Sequence, residues 1–76
     1  MKIYKITWKD HESNDRWQNE EEIKEWVKDI KPCTTIGQIA YEDNEYVVIC
    51  ASEAGTGDYG ECMCIYKDLI IKRQKL

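Results

Sequence analysis

Apolar positions in this chain recur with two different periods, and each change of period marks an element. From Lys2 to Lys9 they alternate, with Tyr4, Ile6 and Trp8 on one side and Lys5, Thr7 and Lys9 on the other, as in a half-buried strand. Asp10 to Asp15 is polar, and Ser13-Asn14-Asp15 supplies turn chemistry for an exposed loop. The spacing then becomes helical: Ile23, Trp26, Val27 and Ile30 stand at i, i+3, i+4 and i+7 and form one apolar stripe. Asn19 can accept hydrogen bonds from the free amides of the first turn while Glu22 reaches back, a capping box. Glu20, Glu21 and Glu22 sit where the helix dipole favours negative charge, Lys28 and Lys31 where it favours positive, and Pro32 cannot continue the helix. The pattern predicts a helix over 19–30, laid on a sheet.

A second strand is predicted from Cys33 or Thr34 to Tyr41. Gly37 lies inside it, where glycine marks a bulge, a sharp bend or a close backbone approach. Glu42-Asp43-Asn44-Glu45 reads as a hairpin loop. Tyr46-Val47-Val48-Ile49-Cys50-Ala51 is the longest uninterrupted apolar run and predicts a central strand buried on both faces. Ser52 to Gly60 is too rich in glycine for regular structure and predicts the longest loop. Glu61 to Lys67 alternates again, Cys62, Cys64 and Tyr66 opposing Met63 and Ile65. Leu69-Ile70-Ile71 is apolar with a β-branched Ile-Ile pair and predicts a last strand, with a short helix over 67–75 as the competing reading. Strand, helix and four strands make an α+β domain over 1–76: a strongly bent antiparallel sheet of about five strands with one helix packed on it. A closed small barrel of the SH3 or Sm-like kind is the alternative.

Charge narrows the partners. The net charge of −4 makes a poor binder of duplex nucleic acid, whose affinity comes mostly from phosphate neutralisation. Six carboxylates and no Lys or Arg lie between Glu42 and Glu61, whereas Lys67, Lys72, Arg73 and Lys75 crowd the last ten residues. No run approaches the roughly 18 apolar residues a membrane span needs. Without a secretory pattern ahead of them, Cys33, Cys50, Cys62 and Cys64 are expected as free thiols in a reducing cytosol. A core this small is marginal alone, which points to a homo-oligomer.

Few residues suggest chemistry. Cys62-x-Cys64 lacks the second knuckle of a zinc site, so no metal is expected. His11, the sole histidine, lies between Asp10 and Glu12 with no triad or dyad partner in view, and an enzyme is not expected. Gly55-Thr56-Gly57 matches neither a dinucleotide fingerprint nor a P-loop, so no cofactor is implied. Amides of this loop can cradle a phosphate and Tyr59 can stack on a base, but Glu53, Asp58 and Glu61 oppose an anion; a plain hairpin connection is the favoured reading.

Tyr4-Lys5-Ile6-Thr7-Trp8-Lys9-Asp10, Trp17 ahead of an acidic helix start, Thr34-Thr35-Ile36-Gly37 and the Tyr-Val-Val-Ile strand together resemble a group of very short bacteriophage accessory proteins, over nearly the whole chain. The chain departs from that pattern where Ile65 is followed by Tyr66 and not by proline. The resemblance implies action by binding, without turnover, in the cytoplasm of an infected bacterium. The favoured form is the sponge that sequesters, without cleaving them, the cyclic oligonucleotide signals of anti-phage defence such as CBASS. Such a sponge needs aromatic planes, cations and hydroxyls, for which Trp8, Trp17 and Tyr59, Lys9, Arg16 and Arg73, and Thr34 or Thr35 are the candidates. The other is an inhibitor that occupies a host enzyme or defence effector, its acidic stretch meeting a basic surface.

Overall fold

The computed structural model describes residues 2–76. Strand β1 spans Ile3–Trp8, helix α1 Glu20–Asp29, β2 Cys33–Glu42, β3 Tyr46–Glu53, β4 Tyr59–Tyr66 and β5 Ile70–Lys75, with a 3-10 turn at Lys67–Leu69 before the last strand. The strands form one sheet in the order β4-β3-β2-β1-β5. All four pairings are antiparallel. The α+β architecture and strand count are as expected, and the competing readings of 67–75 both have a part, a single helical turn followed by a strand. The closed-barrel alternative does not hold: the sheet is strongly bent, but β4 and β5 do not pair.

The bend is made by β2. Its first half, Cys33 to Gln38, pairs with β1, and its second half, Gln38 to Glu42, pairs with β3. Gly37 stands at the change of partner, where a Cβ would lie 2.6 Å from the backbone oxygen of Cys50. No other residue allows β2 and β3 to approach this closely. A register shift between Ile39 and Tyr41 adds further coiling. The curvature shows in one contact. Arg73 stands opposite Ile6, itself opposite Thr35, so in a flat sheet Glu42 and Arg73 would be roughly 25 Å apart at about 3.3 Å per residue and 4.8 Å per strand. Instead Nη1 and Nη2 of the Arg73 guanidinium both donate to the Glu42 carboxylate, each at 2.9 Å. Lys67 Nζ joins the same carboxylate at 2.9 Å, and the guanidinium lies 5.0 Å from the ring centre of Tyr4.

The two cations hold the Glu42 carboxyl at about 2, well below its ordinary 4.5, with Arg73 the larger influence. Because the folded value is the depressed one, the stabilisation is complete above pH 4.5 and is lost as pH falls towards 2. Glu42→Gln is therefore expected to cost about 1 kcal/mol at neutral pH, the scale of a half-exposed bidentate pair. It should also flatten the fall in melting temperature across that acid window, which thermal unfolding at stepped pH measures.

The concave face carries the core. Ile6, Val47, Ile49 and Ile65 are sealed, and Tyr4, Trp8, Ile39 and Ile70 pack around them. The central run is not buried on both faces as expected. Val47 and Ile49 point inward; on the opposite side Cys50 is sealed, whereas Tyr46 and Val48 stay half-buried. Ser52 to Gly60 is likewise more regular than expected, since β3 and β4 extend to Glu53 and Tyr59 and leave a tight hairpin. The longest connection is instead 9–19.

The expected four free thiols are corrected to two. Cys50 and Cys62 face each other across β3 and β4 and form a disulfide, leaving Cys33 and Cys64 free. Twelve residues of separation concealed that register.

Helix α1 follows its sequence signals closely. Asn19 Oδ1 accepts from the Glu22 amide at 2.9 Å while Glu22 accepts from the Asn19 amide, completing the capping box. The helix packs on the sheet by its C-terminal end, where Val27, Ile30, Lys31 and Pro32 face Lys9 and Asp10 across a groove of about 270 Å³. Its stripe is left largely open: Ile23 is 44 %, Val27 56 % and Ile30 37 % exposed. The molecule is accordingly elongated, 53 × 22 × 22 Å. No helix among the described residues is long and apolar enough to cross a membrane.

Candidate functional site

The eight residues expected to hold a ligand are spread over the molecule. Trp8 lies on the concave face, and its indole Nε1 donates to Thr35 Oγ1 at 2.9 Å. The Thr35 hydroxyl in turn points to Met63 Sδ at 3.8 Å, so this pair is brought together but is spent on packing. Thr34, one residue away, faces outward opposite Thr7. Lys9 lines the groove beside the helix end, and its amide donates to the Leu69 carbonyl at 2.8 Å. Arg16 lines a different groove, of about 300 Å³, among Glu22, Glu25 and Asp29. Trp17 is fully exposed on the loop before α1. Arg73 is committed to Glu42 and Tyr4. Tyr59 opens β4, opposite Glu53. Trp17 and Tyr59 stay exposed and Trp8 is half-buried against the core, on three separate segments, with no ring contact between them among the described residues.

The glycine loop is a tight turn held by its own backbone. The Ala54 amide donates to the Asp58 carbonyl at 2.8 Å and the Gly57 amide to the Ala54 carbonyl at 2.9 Å. Two of its amides are therefore consumed within the turn, with Gly57 in the left-handed conformation that closes it, at φ 92°.

What the fold does assemble is a surface on the outside of β2, β3 and β4. Register places Tyr41 beside Val48, Val48 beside Cys64, Tyr46 beside Tyr66, and Cys50 beside Cys62, all on the convex side. None of these seven residues is charged. Tyr41 is 56 % and Tyr66 52 % exposed, and the Tyr46 and Tyr66 rings pack with centres 4.8 Å apart. The neighbouring Tyr66 phenol pushes Tyr46 up to about 12, and a hydrogen bond from the Tyr41 hydroxyl to Asp43 Oδ2, 2.9 Å long, raises Tyr41. Tyr41 and Tyr46 therefore remain neutral at physiological pH.

Carboxylates frame this face at both ends. At one end Asp43 accepts from the amides of Glu45 and Tyr46, each at 2.8 Å, which fixes the hairpin and holds the Asp43 carboxyl below its ordinary value. At the other stand Asp58, in the turn, and Glu61; Glu53, by register, belongs to the concave side. Glu61 adopts φ 55° and accepts from the Ser52 hydroxyl at 3.2 Å. A neutral, tyrosine-rich centre with an acidic border suits a protein surface rich in Lys and Arg. Tyr41, Tyr46 and Tyr66 were absent from the expected site. Their signal was available in the apolar character of both alternating sets of β3 and β4, more than one buried face can absorb.

No protein-family model matches the chain, and no curated protein or solved structure does. The likeness to short phage proteins gains no support there, and function has to be argued from this surface.

Proposed function

We propose that the protein acts as a stoichiometric inhibitor that covers a basic surface of a partner protein with the convex face of β2, β3 and β4, without making or breaking a bond. The observation that carries this reading is the uncharged tyrosine face bounded at both ends by carboxylates. Tyrosine combines a flat apolar body with a polar tip and loses little entropy on binding, so it serves as an interface anchor. The acidic border steers a cationic partner and rejects acidic ones. With the phage resemblance, the partner is a host enzyme or defence effector. Sequestration of a cyclic oligonucleotide is less well supported, because within one chain Trp8, Trp17 and Tyr59 do not converge and Arg73 is already neutralised by Glu42.

Affinity purification from infected cells, followed by titration of the identified partner, tests the proposal. Tyr66→Ala should weaken binding by about 30-fold, the scale of an interface anchor. Glu45→Lys with Asp58→Lys should slow association and flatten its dependence on salt. A partner whose affinity ignores all three substitutions, or a cyclic nucleotide retained in the native mass spectrum, would overturn it.

A further inference from the structure

Two other exposed surfaces of the chain complement one another. The first is the stripe of α1, open along Ile23, Val27 and Ile30. Its helix carries five carboxylates against two lysines. Those lysines are already paired, Lys24 with Glu20 and Glu21 and Lys28 with Glu25. The second is the outer face of β5, β1 and the first half of β2. Register places Lys5 there beside Ile36 and Gln74, and Thr7 beside Thr34 and Lys72. That face holds two lysines and no carboxylate, and Ile36 at its centre is 55 % exposed.

Both surfaces are open in the same molecule. The link from Ile30 to Pro32 is short, and the helix does not cover its own lysine face. We infer that α1 of one copy lies across Lys5, Ile36 and Lys72 of a second copy and receives that copy's helix in return, giving a two-fold dimer. The charges choose this face over the other exposed sheet face. An acidic helix is repelled by the carboxylates that frame the tyrosines, and drawn to a lysine pair with an isoleucine between. Exchange is reciprocal by symmetry, so each contact occurs twice. It leaves the tyrosine face free and does not depend on the proposed function.

Mass in solution tests the inference. At tens of micromolar and about 50 mM salt, the wild-type chain should have twice its 9.0 kDa mass. Lys5→Glu/Lys72→Glu and, separately, Glu20→Lys/Asp29→Lys, whose side chains flank the stripe on either side, should each give a monomer, because like charges then meet at both contacts. Lys at position 29 favours the helix dipole, and circular dichroism should show both variants folded. Mixing the two restores opposite charge at both contacts and should restore the dimer. A monomeric wild type, variants that dimerise alone, or a mixture that stays monomeric would each overturn the inference. So would loss of the dimer in Tyr66→Ala, which would move the interface to the tyrosine face.

Discussion

Gly37→Ala is expected to destabilise the domain by about 3 kcal/mol and to lower its melting temperature by about 15 °C, out of a total stability on the order of 5–10 kcal/mol for a chain this size. The added methyl would stand 2.6 Å from the Cys50 carbonyl oxygen and 3.1 Å from Ile49 Cγ1. The first obstacle is backbone in the central strand, which cannot move aside as a side chain can. Relief requires β2 and β3 to separate at the corner where the sheet turns, which also pulls Glu42 away from Arg73. Gly60→Ala is the control: its nearest neighbour would be Ser52 Cβ at 3.9 Å, ordinary contact, and the change should stay within about 0.5 kcal/mol. Chemical denaturation of both variants checks the contrast. Equal stability would show that β2 and β3 are not in contact at Gly37.

Val48 and Ile49 should separate stability from binding although they are neighbours in sequence. Ile49 is 1 % exposed on the concave face, and Ile49→Ala removes three buried carbons and leaves a cavity, at a cost of about 3–4 kcal/mol. Val48 points to the opposite side, half-buried between Tyr41 and Cys64. Val48→Ala should cost about 1 kcal/mol or less, yet weaken the partner complex, because it flattens the middle of the tyrosine face. Unfolding midpoints give the first comparison and titration with the partner the second. Comparable destabilisation by both would mean that the convex face is covered within the single chain.

The local elements could be read from the residues because their causes are local. A capping box, a stripe at 3.6-residue spacing and a proline stop define α1 whatever surrounds it. Alternation defines β1, and Asp43 closes its hairpin with bonds to amides two and three residues on. Gly37 was marked as a bulge, a sharp bend or a close backbone approach, since glycine inside a strand has few other uses. The ligand residues fared differently. Residue type marks Trp8, Arg16, Trp17 and Arg73 as able to touch a nucleotide, but only position decides what each meets. Thr35 receives Trp8, Glu42 receives Arg73, and Trp17 meets solvent.

By itself, then, the sequence determined the α+β class, the element order, the acidic helix and the bend at Gly37, all of which arise from contacts between residues close in the chain or from the needs of one backbone position. Tertiary structure alone decided that Cys50 meets Cys62, that Arg73 closes onto Glu42, and that three tyrosines from β2, β3 and β4 share one uncharged face. Those outcomes depend on strand register and on the coiling of β2. A one-residue slip would turn every side chain of a strand to its other face, and no local pattern specifies that choice.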